Sequence, residues 1–134
     1  MTAVRAARTA AWIYAGIIAF QLAVALGAPW GQFTQGGQHP GTLPASMRGV
    51  AAASAFIIAC LAMTVLAAVE LGPLRTASAR TRLWAMRATT AYAGVAVAVN
   101  IATRSSAERT VWAPVSIVLL VLCVRVLQGM KPAH

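Results

Sequence analysis

The sequence predicts an all-α, polytopic membrane protein: a bundle of four transmembrane helices with both termini in the cytoplasm. Three observations carry this expectation: a composition too apolar for a soluble surface, four long apolar runs, and arginines massed in alternate connections. Hydrophobic residues make up 60% of the chain and charged residues 10%, with a mean hydropathy of +0.74. A soluble domain is roughly half apolar and about a quarter charged, so too little polar material remains here to coat an aqueous surface. Lipid must be the solvent for most of the chain.

The first span is expected at residues 10–28, AAWIYAGIIAFQLAVALGA. The second, 49–71, is closed by Gly72-Pro73; the third and fourth fall at 86–103 and 111–127. At about 1.5 Å of rise per residue each can cross a hydrocarbon core about 30 Å thick, the last two near the lower limit. Arg5 and Arg8 ahead of the first run also fit a secretory signal. The apolar region of such a signal is about 7–15 residues long, however, and this longer run reads as an anchor.

Orientation follows from charge. With the N-terminus inside, the cytoplasmic segments hold eight basic residues: Arg5, Arg8, Arg75, Arg80, Arg82, Arg87, Arg125 and Lys131. The outer segments hold three, Arg48, Arg104 and Arg109. Arg and Lys retain membrane loops on the cytoplasmic side. The tryptophans agree, because Trp12 and Trp84 fall at inner ends of spans and Trp30 and Trp112 at outer ends. Amphipathic rings favour those headgroup levels.

Three connections join the spans. The outer loop, 29–48, is rich in Gly and Pro and is long enough to fold into the headgroup region as a lid. The inner loop, 72–85, is basic, and residues 104–110 form a tight outer turn. Within the bundle, small residues recur every fourth position: Ala11, Ala15, Ala19, Ala23 and Gly27, then Ala51, Ala55 and Ala59, then Thr90, Gly94, Ala98 and Ala102. Such stripes let backbones approach closely in lipid. The fourth span is bulky and is expected at the periphery, facing lipid or a partner helix, with Arg125 snorkelling to the inner interface.

The net charge of +9 invites a nucleic-acid reading, but the charges lie between apolar runs and form no basic face, so no nucleic-acid partner is expected. Cys60 and Cys123 sit in apolar stretches, with no CxxC motif or Cys/His cluster, so no metal and no cofactor are expected. His39 and His134 stand alone. Glu70, at the inner end of the second span, is expected to pair with inner-loop arginines such as Arg75 or Arg87; the deeper Gln21 and Asn100 read as bridges between helices.

Candidate function concentrates at the outer face. Arg48, Asn100, Arg104, Glu108 and Arg109 gather there beneath a loop that bears Trp30, Gln32 and His39. Glu108 is the only outer acid and hence the natural partner of Arg48 or Arg104. A structural role competes: Ser105 as N-cap with Glu108 at N3 forms a capping box that would start the fourth helix, and Pro114 would kink it.

APWG at Ala28–Gly31, the Gly36-Gly37 pair, GxLP at Gly41–Pro44, Arg48, and SxxERxxWAP at Ser105–Pro114 resemble small, uncharacterised four-helix integral membrane proteins of bacteria. The resemblance implies a multi-pass protein of the bacterial cell membrane and supplies no activity. Two better-known four-helix families fit less well. Small multidrug resistance transporters place a carboxylate deep in the first helix, where this chain has only Gln21. The motifs of dual-topology fluoride channels are also missing.

With two acids, Glu70 and Glu108, at opposite membrane faces, the residues assemble no acid pair and no nucleophile–base arrangement. An enzyme is therefore the least expected class. A membrane-embedded binding, interaction or accessory protein is expected first, with the lipid bilayer and a protein partner or second copy as its contacts. A small oligomeric transporter or channel, whose outer arginines would attract anions, is the alternative.

Overall fold

The computed structural model describes residues 1–130, so Lys131 and His134 lie outside the described residues. Its helices are α1 (Ala3–Ala25), α2 (Ala45–Ala68), α3 (Ala79–Ala102) and α4 (Ser106–Gly129), with two short 3-10 turns, Gly31–Phe33 and Gln35–Gly37, between α1 and α2. Three of the helices, α1, α2 and α4, are long and apolar enough to cross a membrane. The third is as long, at 24 residues, but its first turns carry Arg80, Arg82 and Arg87.

Helix starts lie earlier than the apolar runs because polar caps, not hydrophobicity, begin a helix. Thr2 accepts the Arg5 amide at 3.3 Å and starts α1 at Ala3 rather than at residue 10. Ser78 accepts the Thr81 amide at 3.1 Å and starts α3 at Ala79 rather than at 86. Ser105 accepts the Glu108 amide at 3.1 Å and starts α4 at Ser106, as its expected N-cap role implies, five residues ahead of the apolar run at 111. Pro114 lies within an unbroken α4. The second helix starts after Pro44, and past its end the chain reverses through Glu70 at φ 62° and Gly72 at φ 74°.

Each helix packs on its neighbours in chain order, with α1 also against α4; of these pairs α2 and α3 touch least. The main core joins Ala6, Ala7, Ala10 and Tyr14 of α1 to Leu119, Leu122, Cys123 and Val126 of α4, with Ile58, Val65, Met86 and Ala93. Two expectations are corrected here. The bulky fourth helix is not peripheral, because its residues 119, 122, 123 and 126 follow helical spacing into the core, while Ile117, Val118, Val121 and Val124 keep one face exposed. The small-residue stripe of α1 does not pack as expected: Ala15 and Ala19 are exposed, and the buried alanines are Ala6, Ala7 and Ala10. On α2, Ala51 and Ala55 are buried, while on α3 Ala98 and Ala102 are exposed.

One end of the molecule, here the basic end, holds both the start of α1 and the end of α4, where Gly129 lies against Ala3. It also holds the α2–α3 connection, in which Glu70 pairs at 3.0 Å with an inner-loop arginine as expected, the partner being Arg82. A second Arg82 nitrogen donates to the Ala67 carbonyl at 3.3 Å. Arg87 instead stacks over Trp84, 4.9 Å from the ring centre. The opposite, loop end carries residues 26–44 and the α3–α4 turn.

Candidate functional site

The long loop is a fitted cover rather than a loose strand. Its neck closes where the Gly31 amide donates to the Gly41 carbonyl at 2.9 Å. A Cβ at Gly31 would run into the His39 carbonyl and come within 2.9 Å of Leu43. The turn itself requires glycine, with φ of 80° at Gly36 and 67° at Gly37. Leu43 and Thr34 are buried beneath it.

The cover is pinned to the first two turns of α4 by three hydrogen bonds. Ser105 Oγ donates to the Gln32 carbonyl at 3.0 Å, and Trp112 Nε1 donates to the Phe33 carbonyl at 2.6 Å. The Gly36 amide donates to Glu108 Oε2 at 3.1 Å, an oxygen that also takes the Thr103 hydroxyl at 2.6 Å. Half of the expected capping box is therefore present. The Ser105 side chain caps α4, but the Glu108 carboxylate turns toward the loop instead of back toward Ser105. On the far side, Gln35 Nε2 donates to the Met47 carbonyl at 2.8 Å.

The expected ion pairs of Glu108 are absent among the described residues, where Arg82–Glu70 is the sole salt bridge. Arg48 Nε instead donates to the Ala25 carbonyl at 2.7 Å, and the Thr42 hydroxyl donates to the Gly27 carbonyl at 3.1 Å. These two side chains satisfy carbonyls at the end of α1, where positive charge also suits the helix dipole. Arg109 donates to the Thr103 carbonyl and braces the α3–α4 turn. Arg104, Gln32 and His39 are exposed. Trp30 stacks on Phe20 at 6.0 Å between ring centres, and Phe20 meets Trp112 edge-on at 4.9 Å.

Beneath the cover, between the helices, lies a cavity of about 280 Å³. Thr34, Glu108, Asn100 and Trp112 line its loop end, Gln21, Ser54 and Ser116 its flanks, and Tyr92, Val95, Val99 and Leu119 its apolar remainder. Its floor includes Tyr14, whose hydroxyl lies 3.8 Å from Cys123 Sγ. Gln21 does not bridge helices through its carbonyl oxygen, which is buried without a hydrogen-bond partner. A buried amide oxygen left unpaired costs about 1–3 kcal/mol.

Of the residues predicted from sequence, Glu108 and Asn100 reach the cavity directly. Trp30 and Gln32 belong to its cover, and Arg48, Arg104, Arg109 and His39 do not line it. Sequence reasoning missed Thr34, Ser54 and Ser116. A hydroxyl within an apolar span was the available signal for the two serines. No protein-family model, curated relative or solved structure matches the chain.

Proposed function

We propose that the chain is a four-span protein of the bacterial cell membrane, with both termini cytoplasmic, and that it binds a small ligand beneath its outer loop. Support for the fourth span comes from the layout of α3. Its arginines lie toward the basic end, and residues 88–102 carry no charge. The orientation rests on the unequal charge of the two ends: Arg48, Arg104 and Arg109 at one, and the remaining arginines toward the other.

The observation that carries the binding reading is the covered cavity, toward whose loop end the side chains of Gln21, Thr34, Asn100 and Glu108 converge. Small-molecule sites are concave, mostly apolar, and oriented by a few convergent polar groups. The side chains that meet here offer hydrogen bonds and shape. The anion-attracting alternative draws less support from this cavity, because none of the three outer arginines, Arg48, Arg104 and Arg109, lines it. An accessory role has one feature in its favour, the exposed stripe of Ile117, Val118, Val121 and Val124 on α4.

Native mass spectrometry of the protein, gently extracted from its own membrane, separates these readings when run beside an Ala96→Phe variant that fills the cavity wall. A stoichiometric small-molecule adduct on the wild type, lost in the variant, is the expected result. A co-extracted protein subunit unaffected by the change would replace binding with the accessory reading.

A further inference from the structure

We infer that the cavity takes an amphipathic molecule whose head donates hydrogen bonds, a hydroxyl or an amine, and whose apolar chain lies between α2 and α3. The inference rests on the binding reading above and names the ligand class for that site. Its first support is the chemistry of the walls. Glu108 supplies a carboxylate acceptor beside the amide side chains of Gln21 and Asn100, and no cationic side chain lines the cavity. An anionic head would meet a carboxylate and no arginine, whereas a donor head finds a charged acceptor in Glu108.

The second support is shape. From Glu108 to Leu119 the cavity follows α4 for about 16 Å, at 1.5 Å of rise per residue, so it is deep along the helix axis. The charged and amide side chains, Glu108, Asn100 and Gln21, sit toward the loop end, and the depth combines apolar side chains with the hydroxyls of Ser54, Ser116 and Tyr14. That gradient matches a head held under the cover and a chain reaching toward the middle of the bundle.

The third support is the loose seam. The second and third helices are held together at the basic end by Arg82, which reaches Ala67 and Glu70. Toward the loop end, Ser54 of α2 faces the cavity across from Val95 and Val99 of α3. Those two valines are 62% and 61% exposed and also line the cavity, so its rim opens sideways at the seam. In a bilayer that opening meets acyl chains, and an amphiphile can slide in from the leaflet without leaving it.

The test uses the full chain in phosphatidylcholine nanodiscs, with thermal stability read against added dodecanol, dodecylamine, dodecanoate and ethanolamine. Dodecanol and dodecylamine are expected to raise Tm in a saturable way, while dodecanoate and ethanolamine leave it unchanged. Gln21→Leu should weaken dodecanol binding about tenfold, the worth of one buried hydrogen bond. Ala96→Phe should abolish it, with helicity by circular dichroism confirming that both variants fold.

Protection by dodecanoate equal to that by dodecanol would overturn the donor-head assignment and leave the binding reading intact. Ethanolamine binding as well as dodecanol would show that a water-soluble head suffices and would overturn the amphipathic claim. Undiminished binding of dodecanol to both variants would remove the cavity as the site, and both readings with it. No shift with any probe would mean that water alone fills the cavity.

Discussion

The Gly36 amide and the Glu108 carboxylate, 72 residues apart in sequence, are joined by a hydrogen bond of 3.1 Å. One side chain thereby closes the long loop over the cavity and ties it to the start of α4. The same oxygen holds Thr103, so loop, turn and helix meet at a single acceptor.

Replacing Glu108 with Ala should release the cover. Two donors lose their acceptor, at a cost on the order of 1–3 kcal/mol. Amide hydrogen exchange in nanodiscs should speed up at residues 31–41, while Glu108→Gln, which keeps an acceptor oxygen, retains much of the protection. Unchanged exchange in Glu108→Ala would mean that the loop is held by its other contacts.

Arg48→Ala is expected to lower stability without touching ligand retention. The guanidinium answers the Ala25 carbonyl at the end of α1 and lies outside the cavity lining. A charged hydrogen bond of this kind contributes about 1.5 kcal/mol, and its loss corresponds to a Tm drop of roughly 3–6 °C. Loss of a bound anion on this substitution would restore the arginine-centred site.

Two pairs of substitutions test the packing. Ala10→Leu should destabilise severely because Ala10 is fully buried between helices, while Ala19→Leu on the exposed face should be nearly neutral. Gly31→Ala should disrupt the loop neck, whereas Gly16→Ala meets open space and should be tolerated. Thermal denaturation in detergent reads all four. Equal shifts within either pair would contradict the packing described.

Topology is open to direct measurement. A single cysteine at His39 and another at Thr76, in a background with Cys60 and Cys123 changed to Ser, should react with a membrane-impermeant maleimide from opposite sides. The His39→Cys variant should label in intact cells, and the Thr76→Cys variant only after permeabilisation. The reverse pattern would invert the orientation, and labelling of both in intact cells would remove the four-span arrangement.

Much of the fold was legible along the chain. Composition called for lipid, and the four apolar runs marked the four helices, because a helix satisfies its own backbone wherever water is scarce. Cap residues such as Ser105 were legible too, since a cap acts over three residues. The faces were harder to read: the alanine stripe of α1 looked like an interface, yet Ala15 and Ala19 are exposed. Spacing alone shows that residues share a face and not which neighbour covers it.

The chain order of apolar and polar residues thus set the solvent, the helices and their caps, all of which depend on neighbours within a few turns. The pairing of polar groups depended on how the loop folds back, a matter of distances across 72 residues. Opposite charge made Arg48 and Glu108 look like partners, but hydrogen bonds are short and directional. Once the glycine turn seats the Gly36 amide over α4, Glu108 is occupied there, and Arg48 is left to the carbonyl of Ala25.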